Sequence, residues 1–260
     1  MKCSDIIKSL ELLAPLECAL GWDNCGLLVG DDEKEVKTVY VALDATDAII
    51  KDAISKKADM IITHHPMIFG DIKRVVSSDF LGGRIISLIK NDISYYAMHT
   101  NYDVCGMGYE ASDILGLSEC ETLEVTFTDD NGSEGIGKIG FLPQELTLNE
   151  LSIAIKRRFN IECVKVFGDF EAMVHKVAIC PGSGKSVIDE AIKKGADVLV
   201  TGDIDHHSGI DANMKGIHII DAGHYGIEKL FVHSIYDYLN RNFSDLIIYC
   251  ENLKEPFKYI

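Results

Sequence analysis

His64 and His65 stand side by side at the end of an apolar run, in Ala58-Asp-Met-Ile-Ile-Thr-His-His-Pro66. Far downstream, His224 and Glu228 occur four residues apart in Asp221-Ala-Gly-His-Tyr-Gly-Ile-Glu228. Imidazole and carboxylate suit borderline divalent metals such as zinc, and they also serve iron, nickel and manganese. A spacing of four places His224 and Glu228 on one face of a helix. A further carboxylate, Asp103, follows another apolar segment in Met98-His-Thr-Asn-Tyr-Asp103. Five such groups exceed the needs of one tetrahedral catalytic ion, so the pattern implies a site for two divalent metal ions.

Each part has a plainer explanation. His64 and His65 could be a structural pair, since neighbouring residues within a strand point to opposite faces. Beyond the strand end that restriction relaxes, and Pro66 keeps His65 extended. His224 and Glu228 alone could form a surface helix pair worth roughly a few tenths of a kcal/mol. Gly182-Ser-Gly-Lys-Ser186 resembles a phosphate loop, but the Walker pattern needs glycine at position 179, which is Ile179. A tight turn is favoured over a helix start that binds phosphate through backbone N–H groups. His206 and His207, close behind Asp203, are either a polar loop or proton-transfer groups beside the metals. His99, Asp203 and Asp205 are candidates of the same kind, whereas His175, His218 and His233 stand outside these clusters.

An internal repeat positions these groups. Residues 36–63 and 174–201 align without a gap at an offset of 138, and 9 of 28 positions are identical. Both copies therefore read as strand, turn, amphipathic helix and strand, with the helix over 45–57 in one and 185–194 in the other. Alternating strands and helices imply βαβ units and mostly parallel sheets. Each copy ends in polar residues just past a strand, where such folds bind ligands: His64 and His65 in one, Gly202 and Asp203 in the other. A further helix and strand lead to His99–Asp103 and to Asp221–Glu228, so four strand ends are expected to converge on one metal site between two duplicated α/β lobes. The lobes are assigned to 1–125 and 126–260. Thr128–Gly135 reads as a turn-rich loop, Ile136–Leu142 as a strand, and 162–167 as a returning strand. Thr147 reads as a capping box opening a helix to Phe159.

Composition bounds the function. The 260 residues can bury a sizeable core. With 41 acidic against 25 basic residues, the net charge of −16 argues against nucleic-acid binding. No apolar stretch approaches a membrane span, and Met1-Lys-Cys-Ser-Asp-Ile opens a helix instead of a signal peptide, which gives a cytoplasmic expectation. None of the eight cysteines forms a C-x-x-C pair, so reduced thiols are expected, with Cys105 notable for lying two residues from Asp103.

The motifs together resemble the Nif-three-like dinuclear-metal family, also described as GTP cyclohydrolase I type II homologues. Gly21-Trp-Asp-Asn-Cys-Gly-Leu-Leu-Val-Gly30 resembles its amino-terminal signature, and Thr63-His-His-Pro66 its metal-binding strand end. His99-Thr-Asn-Tyr-Asp103, Thr201-Gly-Asp203 with His207, and Gly223-His-Tyr-Gly-Ile-Glu228 resemble three further elements in order. The resemblance implies His64, His65, Asp103, His224 and Glu228 as ligands, the same five reached from their chemistry. It implies two intertwined, similar α/β lobes, a toroidal homohexamer, and His207 as the favoured proton-transfer residue. Cys105-Gly-Met-Gly108 departs from the family, which often has Gly-x-Asn after the aspartate.

The resulting expectation is a metal-dependent hydrolase in which two divalent ions activate water against an electrophilic carbon or phosphorus. Its substrate is a small molecule, a nucleotide or heterocycle on the cyclohydrolase resemblance. The alternative is a non-enzymatic metal-binding or regulatory ring that binds partner proteins.

Overall fold

The computed structural model describes residues 1–130 and 132–258. Its strands are β1 (Gly26–Val29), β2 (Thr38–Ala42), β3 (Met60–Thr63), β4 (Ser94–Ala97), β5 (Ser118–Asp129), β6 (Gly132–Thr147), β7 (Lys165–Phe167), β8 (Met173–Ser183), β9 (Val198–Gly202), β10 (His218–Asp221) and β11 (Ile247–Cys250). The chain forms two compact units. One comprises Met1–Tyr102 with Leu230–Lys254; the other comprises Asp103–Lys229 with the chain from Glu255 onward. These bounds differ from the expected 1–125 and 126–260. The physical reason is strand pairing: β5 pairs with β6 and draws the residues before 126 into the second unit, while β11 pairs parallel with β2, Ile247 opposite Thr38, and carries its segment into the first.

The first unit holds a five-stranded sheet in the order β1-β4-β3-β2-β11. Among the described residues it is mostly parallel, with only β1 antiparallel against β4. Its strands are apolar on both faces, and β2, β3 and β4 are buried throughout, as parallel strands covered by helices must be. The helix Asp47–Ser55 supplies part of that cover with Ile50 and Ala53, and Thr46 caps it by accepting from the Ile49 N–H at 3.3 Å.

The second unit holds a six-stranded sheet in the order β5-β6-β8-β9-β10-β7. Here the mostly parallel expectation fails. Only β8–β9 and β9–β10 are parallel, while β5, β6 and β7 run antiparallel to their neighbours. The region read as a turn-rich loop is mostly the β5–β6 hairpin, whose alternating residues pair as far as Asp129 opposite Gly132. The capping box is as read: Thr147 Oγ1 accepts from Glu150 N at 3.1 Å, and Glu150 Oε2 accepts from Thr147 N at 2.8 Å. The helix it opens spans Leu148–Arg158.

The repeat persists down to single hydrogen bonds. Val39 pairs with Met60 in the first unit, and Val177 with Val198 in the second, each 138 residues on. Asp59 Oδ2 accepts from the Lys37 and Thr38 N–H groups at 2.8 and 2.9 Å. Asp197 Oδ2 accepts from the corresponding His175 and Lys176 N–H groups, both at 2.8 Å. The shared aspartate thus tethers the start of one parallel strand to the start of the next. The helices differ: in the second copy a 3₁₀ turn, Lys185–Val187, precedes a short helix, Ile188–Lys193.

Candidate functional site

In the first unit, His64 and His65 lie immediately after β3, and the chain leaves strand geometry there for a visible reason. Thr63 Oγ1 and the Tyr95 hydroxyl both donate to the His65 carbonyl, at 2.8 and 2.9 Å. The same Tyr95 oxygen accepts from the Met67 N–H at 2.8 Å. Pinned in this way, the two adjacent rings come within 4.8 Å of each other, centroid to centroid, instead of facing opposite sides. His99, two residues past β4, joins them at 5.1 Å from His64 and 5.6 Å from His65. One potential ligand atom from each of the three lies within 4.8 Å of the others.

The ring nitrogens are sorted by what they touch. His64 Nδ1 donates to the Met98 carbonyl at 2.8 Å, His65 Nδ1 to Asp44 at 2.9 Å, and His99 Nδ1 to Asp23 at 2.8 Å. A carbonyl or carboxylate can only accept, so Nδ1 must carry the proton in each neutral ring and Nε2 keeps its lone pair. Metal-ligating histidines are held in this manner. Asp23 is itself strongly organised. Burial would raise its carboxyl, but hydrogen bonds from His99, Thr100 and Cys25 outweigh burial and hold it well below the usual carboxylate range.

The second unit fixes one histidine in the same way. His224 Nδ1 donates to Asp203 at 2.8 Å, and His224 Nε2 lies 2.9 Å from Glu228 Oε2, four residues along the helix His224–Glu228. Glu228 is 3% exposed, which removes the plain reading of a surface helix pair. Asp103 begins the π-helical turn Asp103–Met107. It and Glu228 act on a common neighbour: burial first, then the charges of Asp103 and Glu228, push the Cys180 thiol far above its ordinary range. A buried carboxylate such as Glu228, with the half-buried Asp103 beside the same thiol, is costly unless a cation offsets its charge, so the donor set fits a divalent metal.

Two glycines show how closely the second unit is built around these side chains. A Cβ on Gly182, whose φ is +70°, would stand 2.2 Å from Glu228 Oε1. Gly182 is not in the expected tight turn but near the end of β8, where the missing side chain makes room for the Glu228 carboxylate. A Cβ on Gly202 would meet the His224 backbone nitrogen at 2.5 Å. Gly202 is the repeat counterpart of His64, so no side chain can occupy that place in the second copy. Asp203, the counterpart of His65, instead anchors His224.

Among the described residues His207 belongs to neither group. It is exposed in the first turn of the helix His206–Met214, with its ring 5.2 Å from that of His206. Asp205 caps that helix by accepting from Ser208 N at 3.0 Å and pairs with Lys185 at 2.7 Å, which accounts for it without a catalytic role. Sequence reading assigned no role to Asp44, Asp23 or the Met98 carbonyl. Asp44 follows β2 as His65 follows β3, so its position one strand over was the available signal.

The Duf34/NIF3 (NGG1p interacting factor 3) family model matches residues 1–255. A Clostridium perfringens protein called GTP cyclohydrolase 1 type 2 homolog is 35% identical over 264 residues, covering all of both chains. Among solved structures, a Bacillus cereus protein related to NIF3 superposes with a TM-score of 0.90 at 25% identity, covering 100% of this chain and 99% of that one. Reduced HcgD from Methanocaldococcus jannaschii superposes with a TM-score of 0.84 at 31% identity, covering 97% and 98%.

Proposed function

The chain belongs to the Duf34/NIF3 family, and from that premise we propose that it is a dinuclear metal-dependent hydrolase acting on a nucleotide or heterocyclic substrate. His64, His65, Asp103, His224 and Glu228 hold two divalent ions, drawn from zinc, iron, nickel and manganese. The observation that carries the reading is the common fixing of Nδ1 in His64, His65 and His224, which leaves each Nε2 as the donor. Two such ions, when bound, supply Lewis acidity and make water nucleophilic near neutral pH. Asp44 and Asp203 orient the imidazoles, and His207 moves a proton to or from the reacting group. The substrate class follows the name of the full-length relatives, GTP cyclohydrolase 1 type 2 homolog.

Elemental analysis of purified protein is expected to approach two divalent ions per chain. A His64→Ala, His224→Ala double variant should lose most of them; unchanged metal content in that variant would remove the reading. For the reaction, a turnover screen of metal-loaded protein over nucleotides and cyclic amides is the test. His207→Ala should retain its metals while turnover falls at least roughly tenfold.

One observation favours a second reading, a non-enzymatic metal-binding or regulatory ring: His207 is exposed on a helix and lies in neither ligand group. Turnover that ignores His207→Ala removes His207 from the reaction, whereas no metal-dependent turnover at all supports this alternative.

A further inference from the structure

The first unit displays two large aromatic rings to solvent side by side. Trp22 is 59% exposed and Phe69 57%. Their centroids lie 5.7 Å apart at 49°, and both rings contact His99 edge-on, at 6.1 and 6.2 Å. Through His99 the pair adjoins His64 and His65.

Firm attachments hold the pair in place. Asp23, the residue after Trp22, has a fully buried side chain. It accepts from His99 Nδ1 at 2.8 Å, from the Thr100 N–H at 3.0 Å and hydroxyl at 2.5 Å, and from the Cys25 thiol at 3.1 Å. Asn24 Nδ2 donates to the Ile68 carbonyl at 2.7 Å, which ties the Trp22 loop to the residue before Phe69. A water-facing indole and phenyl are thus fixed beside three oriented imidazoles.

We infer that Trp22 and Phe69 form a stacking platform that holds a planar heterocyclic ring of the substrate against the His64, His65 and His99 group. An aromatic face binds any flat π system through stacking and needs no hydrogen-bond complementarity. A phosphate has no such face, and a ribose offers only a small patch of C–H groups, so neither gains there what a flat heterocycle does. The platform selects for the ring, while the histidines and their metals meet its reactive edge. This inference rests on the proposed heterocyclic substrate, but it concerns binding and is separable from turnover.

Trp22 is the only tryptophan in the chain, so its fluorescence reports on the platform directly. Guanosine titrated into the metal-loaded, full-length protein is expected to quench that emission saturably, and ribose 5-phosphate to leave it unchanged. Phe69→Ala, and Phe69→Leu which keeps bulk without a π face, should each weaken guanosine binding at least about fivefold at unchanged metal content. Absence of saturable quenching, or undiminished affinity in both variants, would overturn the platform. So would Trp22 emission that is shielded from acrylamide until the protein is diluted to monomer, which would make the pair a contact between copies. Quenching without turnover leaves the platform standing and counts against the hydrolase; turnover without quenching does the reverse.

Discussion

Asp44 sits half exposed beyond β2, and its carboxylate fixes which nitrogen of His65 faces inward. Asp44→Ala removes that acceptor. Metal affinity measured by chelator competition should fall about 10–100-fold, with thermal stability close to wild type. An unchanged affinity would show that the His65 tautomer does not matter to binding. Gly182→Ala tests the other unit. Its Cβ would lie 2.2 Å from Glu228 Oε1, so the carboxylate must swing away, and the metal content of folded protein should drop, as it should in Glu228→Gln. Full metal occupancy would mean that Gly182 serves only its left-handed backbone. The histidines and acids themselves were legible in the sequence because each follows an apolar run. Their anchors were not, because pairing brings them from 21, 76 and 34 positions away, for His65 with Asp44, His99 with Asp23, and His64 with the Met98 carbonyl.

At the scale of elements, the repeat was readable because strand register and the Asp59 and Asp197 tethers constrain the same positions in both copies. What escaped was the antiparallel β5–β6 hairpin, whose turn signal was read only as a loop, and the return of β11 to β2, which no local pattern encodes. The edge strand β7 is held by close packing: a Cβ on Gly209 would lie 2.5 Å from the Phe167 ring. Gly209→Ala should therefore destabilise by about 1–3 kcal/mol, read from denaturant midpoints. No change would mean that β7 can move aside. Glu251, just past β11, gives a pH-dependent test. Burial raises its carboxyl above the ordinary value, the Leu43 N–H it accepts at 2.6 Å offsets part of this, and Asp44 adds to the rise. Its folded value thus lies above the unfolded one, so its charge lowers stability near neutrality, and that deficit disappears as pH falls through the folded value. Glu251→Gln keeps an acceptor for Leu43 and should melt higher than wild type at pH 7.5, the advantage vanishing in acid. An advantage that persists unchanged into acid would rule out the charge as its source.

For the whole molecule, the expectation of a homohexamer came from family resemblance alone, and light scattering decides it: a monomer across micromolar concentrations would contradict the ring. Two lobes were legible as a duplication, but their borders were not, since the first unit is assembled from both ends of the chain. That discontinuity has a consequence for biosynthesis. A ribosome releases β2 early, with Thr38-Val-Tyr-Val-Ala42 poised to pair on both edges, yet its neighbour β11 emerges only after the whole stretch from Asp103 to Lys229. At roughly 5–20 residues per second the wait is on the order of ten seconds. Meanwhile nearly all of the second unit, an uninterrupted stretch from Asp103 to Lys229, becomes available to fold. The nascent protein would then complete its middle before its beginning, carrying an apolar strand with an open edge throughout, and that interval is when it would most need a chaperone.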